Sequence, residues 1–338
     1  MSVSLVEAGL GDLVHDAVQH HIRGVPTSLV VVAMSRDENP KATVLAFPHR
    51  SAFPTLVVKV AMTPGARSSV EREAEALRRL AQLDPGMVDG TVPSLLELQH
   101  HDGQTLFVST AKQGVPYSTD YHRWRHTSSM HRVSADFAAA AAWLDALAER
   151  ADLPCLPTTW PGRLRARWPE DPVADGVAEL AGRLEGAFAI DRGTVVHGDY
   201  WCGNLLRSRG AVSGVVDWEH ADFGADPLRD RVRFVVGYTL YLDRHTRPGA
   251  RVAGHPGLVA GAWGEPLRHL VTGHGWYPEL VSRFVGAGLV STGRKSDLWR
   301  AAVVLGLVEA AVLGDHPEFA RQHLVLAGEL GSQLMGLP

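Results

Sequence analysis

The stretch VVHGDYWCGNLLRSRGAVSGVVDWEHADFGADPLRD, residues 195–230, constrains this chain more than any other part of it. Asp199 and Asn204 stand five residues apart, in what reads as a loop between two short strands, Thr194–Gly198 and Asn204–Ser208. Asp217 follows thirteen residues later, at the end of a third apolar run, Ala211–Trp218. Short β-branched runs broken by turn residues predict strands. Three such strands in quick succession bring one carboxylate and two further oxygen donors to one edge of a small sheet. Hard oxygen donors suit Mg²⁺, which takes few protein ligands and completes its shell with water and phosphate oxygens. Metal ligands, a group that accepts or orients the nucleophile's proton and a cation on the phosphates are the parts that phosphoryl transfer requires. Alone, Asp199 reads as a turn residue. The company of Asn204 and Asp217 makes it a candidate base.

The rest of the chain divides by composition. Residues 1–25 read as a helix and a lead-in. Ser28–Met34, Ala42–Phe47 and Thr55–Met62 read as strands, separated by the breakers SRDENPK and PHRSAFP. Val70–Leu83 reads as a helix, with Val70, Ala74, Leu77 and Leu80 at three- and four-residue spacing and Ser68 or Ser69 as its cap. Ser94–His100 and Gln104–Thr110 flank the turn His101-Asp102-Gly103 and predict a hairpin. After about Lys112 most of the chain is helical, including the Ala-rich Ala135–Arg150 and the amphipathic Val173–Phe188. The boundary falls at a hinge near Thr110–Gly114, which gives lobes of 1–112 and 113–338.

His-Gly-Asp-x-x-x-x-Asn, then an apolar Asp-Trp-Glu, then Asp-Pro-x-x-Asp resembles the signature of the aminoglycoside phosphotransferase and choline kinase-type small-molecule kinases, relatives of the protein kinases. The resemblance spans about Val30 to Asp230. It implies an α+β, protein kinase-like two-lobe fold. An N-terminal nucleotide-binding lobe would be a small sheet plus a helix, and the larger C-terminal lobe, mainly helical, would bind substrate. It implies ATP and Mg²⁺ as cofactors and transfer of the γ-phosphoryl group to a small-molecule hydroxyl. By the same resemblance, Asp199 is the catalytic base and Asn204 and Asp217 hold Mg²⁺. Glu219 assists through water or a second metal, His197 braces the catalytic loop, and Asp226 and Asp230 hold the following helix against it. Lys59, a lysine inside the apolar strand VVKVA, is costly there unless paired or bound to an anionic ligand. The family register assigns it to the α- and β-phosphates of ATP, with Glu73 as its partner. Adenine would meet the backbone at Ser109–Lys112, with Ser109 and Ala111 as the candidate contacts.

Two departures separate the chain from the protein kinases. SRDENPKATV, between the first two strands, contains no glycine, so no G-x-G-x-x-G loop covers the phosphates, and Ser35 and Asn39 are the candidate contributors there. The metal motif is Asp-Trp-Glu instead of Asp-Phe-Gly. A catalytically silent nucleotide-binding protein of the same fold is the other competing class. The intact set of Lys59, Glu73, Asp199, Asn204 and Asp217 argues against it.

Composition narrows partners and location. With 45% hydrophobic residues, 21% charged and a formal net charge of −4, nothing in the overall charge points to nucleic acid or to an anionic membrane surface. No uncharged apolar run reaches the ~18 residues of a membrane span. Ala301–Leu313 is interrupted by Glu309 and reads as a buried helix. The N-terminus lacks the pattern of a signal peptide. Two cysteines, Cys155 and Cys202, make no disulfide framework. The expectation is a cytoplasmic monomer or homodimer. From Tyr238 to Lys295 three acids face seven Arg and Lys residues. A polycationic aminoglycoside is held by carboxylates. That balance therefore favours a sugar, a nucleoside-like metabolite or another natural product over an aminoglycoside acceptor. Tyr117–His131, rich in aromatics and histidine, is a second candidate pocket segment.

Overall fold

The computed structural model describes residues 10–34, 40–84, 86, 90–101, 103–156, 159–314 and 316–336. The expected phosphate contacts Ser35 and Asn39 lie outside them. The chain forms two compact units. The first comprises Met1–Val115, Leu206–Ser208 and Ser213–Ala221, and the second Pro116–Leu205, Arg209–Val212 and Asp222–Pro338.

In the first unit, α1 (Leu10–His21) precedes the strands β1 (Thr27–Met34), β2 (Lys41–Pro48) and β3 (Leu56–Ala61). Helix α2 (Pro64–Leu83) then leads to β4 (Leu95–His101) and β5 (Gln104–Thr110). The strands form one sheet, ordered β1-β2-β3-β5-β4, with antiparallel neighbours throughout. Side chains alternate between the two faces of a strand. Leu56, Val58 and Val60 therefore join Ala42, Val44 and Ala46 in a core closed by Val14, Ala17 and Val18 of α1. Lys59 points to the opposite face. The register places Thr43 opposite Lys59 and Lys41 opposite Ala61, so Lys41 shares that face. The α2 helix starts six residues before the expected Val70. Pro64 and Gly65 read as a breaker, but proline fits the first helical turn, where its missing N–H is no loss. The cap is Thr63, whose hydroxyl accepts the Ala66 N–H at 3.2 Å; Ser68 and Ser69 do not cap the helix.

The second unit begins with β6 (Val115–Pro116) and α3 (Tyr117–Tyr121), followed by α4 (Met130–Arg150) and β7 (Leu153–Pro154). Next come α5 (Trp160–Arg167), α6 (Pro172–Phe188), β8 (Arg192–Val196) and, after β9 (Leu205–Ser208) and β10 (Ala211–Val215), which fall largely in the first unit, β11 (Asp222–Ala225). Helices α7 (Leu228–Thr239), α8 (Glu265–Thr272), α9 (Trp276–Ser291), α10 (Trp299–Leu313) and α11 (Pro317–Met335) complete it. Phe137 of α4 ties α7 and α9 together, with ring centroids 5.1 Å from Phe234 and 5.0 Å from Phe284. Glu309, which interrupts the apolar α10, is buried against Arg229 at 2.7 Å. No helix among the described residues is long and apolar enough to cross a membrane. Strand β11, which the sequence reading did not resolve, pairs antiparallel with β8, Phe223 opposite Val195. That pairing aligns the start of α7 with the His197–Asn204 loop.

Candidate active site

The first unit gathers five charges on the α2 face of its sheet. Lys59 Nζ donates to Glu73 Oε2 at 2.5 Å and to Asp217 Oδ1 at 2.8 Å. Glu73 sits on the buried face of α2 with Val70 and Leu77, three and four residues away. Burial opposes the Lys59 ammonium, but the Asp217 and Glu73 carboxylates outweigh it and hold its pKa above the usual lysine value. Burial pushes the Glu73 carboxyl up, against the pull of Lys59 and with the help of the Asp217 charge. Lys41 Nζ donates to Glu219 Oε2 at 2.5 Å and to Asp217 Oδ1 at 3.3 Å. The Ser69 hydroxyl also donates to Glu219.

Lys41 is the member of this cluster that sequence reasoning missed. It was read as part of the SRDENPK breaker. The signal that finds it is parity: it lies on the same sheet face as Lys59, one diagonal step away. Asp217 lies two residues past the end of β10, with φ at 71°, a left-handed conformation uncommon for any residue but glycine. Trp218 pins the turn, fully buried with its indole N–H on the Val215 carbonyl at 2.9 Å.

The second unit builds its cluster on one helix and one loop. Asn204 Nδ2 donates to the Asp199 carboxylate at 2.8 Å and to the Asp199 carbonyl at 3.0 Å. The Asp199 N–H donates to His197 Nδ1 at 3.1 Å. Along α7, residues at three- and four-residue spacing meet successive parts of the loop. Asp230 accepts the His197 N–H at 2.6 Å and the Gly198 N–H at 2.9 Å. Arg233, a turn further on, donates to Asp199 Oδ1 from Nε at 3.0 Å and from its terminal nitrogen at 2.5 Å. Gly237 lies under the Trp201 side chain, where an added Cβ would come within 3.1 Å of Trp201 Cβ. Gly198, at φ 80°, lets the loop turn down onto Asp230. Burial raises the Asp230 carboxyl to about 7 despite the two N–H bonds it accepts. Arg233 went unrecognised because a lone arginine three residues after Asp230 looks like any solvated helix charge.

The remaining expectations divide. Ser109 is buried in β5 between β3 and β4, and Ala111 gives its N–H to the Thr55 carbonyl at 2.8 Å. Asp226 caps α7 through the Leu228 N–H at 2.9 Å and pairs with Arg294 at 2.5 Å. Cys202 is buried, and burial drives its thiol pKa far up. Trp201, Cys202, Ser118, Tyr121, His122 and Arg244 lie around a cleft of about 280 Å³. For Mg²⁺ the donor chemistry fits. The Asn204 amide nitrogen is committed to Asp199, which leaves its oxygen as a ligand, and Asp217 offers carboxylate oxygens. Among the described residues no cluster of three His, Cys, Asp or Glu side chains forms a metal cage.

The profile of the phosphotransferase enzyme family (APH) matches residues 48–259, more than half of the chain. The chain belongs to the phosphotransferase enzyme family. Like other members of this phosphotransferase family, it has an α+β, protein kinase-like fold, and it is a phosphotransferase acting on small-molecule hydroxyl groups. Solved structures with similarity to this phosphotransferase include an aminoglycoside-3'-phosphotransferase of type VIII. That protein is 20% identical, over 86% of this chain and 98% of its own, with a TM-score of 0.46. The aminoglycoside phosphotransferase APH(3'')-Id from Streptomyces rimosus, in complex with ADP and streptomycin, is 17% identical over 95% and 98%, with a TM-score of 0.44. The spectinomycin phosphotransferase APH(9)-Ia, in complex with ADP and spectinomycin, is 9% identical over 95% and 98%, with a TM-score of 0.41. No curated protein sequence matches the chain.

Proposed function

We propose that this phosphotransferase moves the γ-phosphoryl group of ATP to a hydroxyl of a sugar, a nucleoside-like metabolite or another natural product. The observation that supports this reading is the Asp199 carboxylate, the residue that the motif resemblance reads as the base, which accepts from Asn204 and Arg233. Asp199 accepts the hydroxyl proton as the acceptor oxygen bonds to the γ-phosphorus and the bond to the β-phosphate oxygen breaks, releasing ADP. Asn204 and Asp217 would hold Mg²⁺, which would neutralise charge on the phosphate oxygens. Lys59, oriented by Glu73, contacts the α- and β-phosphates. Arg233, which donates twice to Asp199 Oδ1, orients that carboxylate. Adenine meets the backbone at Ser109 and Ala111; the Ala111 N–H is given to Thr55, so its carbonyl is the group offered.

An aminoglycoside acceptor is the second reading. It is weakened by the composition of the cleft beside the catalytic loop, whose lining includes Arg244 and no carboxylate. The test is ATP consumption against sugars, nucleosides, amino alcohols and aminoglycosides, by wild type and by Asp199→Asn. A general base contributes roughly 10²- to 10⁴-fold. Asp199→Asn should lose at least the lower of these while calorimetry shows unchanged ATP affinity. Full turnover in the variant sinks the assignment.

A further inference from the structure

Several arginines in the second unit are paired with carboxylates. Arg229 pairs with Asp222 and Glu309, Arg231 with Asp145, Arg233 with Asp199, Arg268 with Glu329 and Arg294 with Asp226. Arg268 and Arg294 come from the base-rich segment 238–295, so part of that segment's excess positive charge is structural. Arg244 differs. Among the described residues its side chain has no carboxylate partner. Its guanidinium donates instead to the imidazole of His122, at 2.8 Å.

The support beneath that guanidinium is rigid and uncharged. His122 stands edge-on to Tyr121, with centroids 5.2 Å apart. Tyr121 is edge-on to Tyr238 at 4.7 Å and donates its hydroxyl to the Tyr238 carbonyl at 2.6 Å. Partial burial, then the nearby charges of Arg244 and His245, lower the His122 pKa and keep the ring a neutral acceptor. A neutral acceptor fixes the arginine without cancelling its charge.

Position gives this fixed charge a use. Arg244 shares its cleft with Trp201 and Cys202, two and three residues past Asp199 on the same loop. The Trp201 ring supplies an apolar wall, and Ser118 and Tyr241 add hydroxyls. Among the described residues no acid lines the cleft. We propose that Arg244, held by His122, is an anion subsite for the acceptor, so that the acceptor is a hydroxy compound carrying a carboxylate or a phosphate. The assignment rests on the kinase reading of Asp199. It goes beyond it by naming the group that the acceptor carries besides its hydroxyl.

The test uses the full chain and acceptors matched except for charge. Glucuronate, glucose and glucosamine form one set, uridine 5'-monophosphate and uridine a second, and kanamycin is the polycation. ATP turnover and, separately, equilibrium binding by calorimetry are measured for wild type, Arg244→Met and Arg244→Lys. An arginine–anion contact is worth roughly ten-fold or more in affinity. Wild type should prefer the acidic member of at least one set by that factor, and which set responds separates carboxylate from phosphate. Arg244→Met should remove the preference, and Arg244→Lys should keep part of it.

Turnover with no acid preference, or a preference untouched by Arg244→Met, overturns the subsite and leaves the kinase reading standing. Acid-selective binding that depends on Arg244, without phosphoryl transfer to any member, keeps the subsite and overturns the kinase reading. Binding of kanamycin ahead of every acid, or of no member at all, overturns the subsite.

Discussion

At the scale of single residues, the first unit's cluster holds two lysines and three carboxylates in contact. Removing one partner from a buried ion pair leaves the other's desolvation unpaid, which costs about 3–5 kcal/mol. Lys59 between Glu73 and Asp217 is therefore held on both sides. Lys41 is less enclosed and reaches two carboxylates of the Asp-Trp-Glu segment, Asp217 and Glu219. Its position at the start of β2 directly follows the glycine-free segment between the first two strands. Lys41→Met should raise the KM for ATP roughly ten-fold, the worth of one charge-assisted hydrogen bond, and leave the acceptor KM unchanged. Steady-state kinetics with each substrate varied checks this; an unchanged ATP KM removes Lys41 from the nucleotide site.

Asp230 gives a pH prediction. Its carboxyl is raised from 3.8 to about 7 in the folded protein. The folded state therefore holds this proton more tightly than the unfolded one. The group's stabilising contribution is full below pH 4 and lost as pH rises to about 7. Urea unfolding across that window should show wild type losing ground relative to Asp230→Asn, with the difference level above it. A difference independent of pH would mean that the carboxyl titrates near its ordinary value. The chemical identities at this scale were legible because Asp199, Asn204 and Asp217 carry ordered spacing. Lys41 and Arg233 were not, because their meaning depends on a strand register and on the neighbour of a helix.

At the scale of elements, α7 acts as a ruler laid along the His197–Asn204 loop. Asp230, Arg233 and Gly237 each engage a different stretch of it, about one turn apart. Sequence periodicity located most strands and helices because their apolar residues alternate or recur by threes and fours. It failed at the edges of elements. Pro64-Gly65 reads as punctuation, yet proline is favoured at a helix start. The four residues Asp222–Ala225 have too little alternation to announce a strand and become one only by pairing with β8. The cap found at Thr63 makes a direct prediction. Thr63→Ala should lower stability by about 1 kcal/mol, read as a shift in urea midpoint with the slope unchanged. Because Glu73 lies more than two turns inside α2, ATP affinity should hold; a parallel loss of ATP binding would show that the first turn of α2 serves the nucleotide.

At the scale of the whole molecule, the two compact units are not two consecutive pieces of chain. Asp217, Trp218 and Glu219 belong to the first unit, although more than ninety residues separate Val115 from Ser213. The Val215 N–H bonds the Thr91 carbonyl at 3.0 Å, the Ser213 hydroxyl the Gln113 carbonyl at 2.7 Å, and Lys59 the Asp217 carboxylate. A fragment ending at Val115 would lack all three contacts. It should fail to show a cooperative urea transition by circular dichroism, and a sharp transition would show that the later segment is dispensable. The strand pattern of 1–115 gave no hint of this, since a missing partner leaves no mark on the sequence that lacks it.

The same interleaving has a consequence during synthesis. Domains generally fold in order as they leave the ribosome. Here the amino-terminal sheet emerges early but must wait for Ala221 before its buried lysines meet their last carboxylates. Until then the nascent chain carries an uncompleted first unit, in which Lys59 still lacks the Asp217 carboxylate.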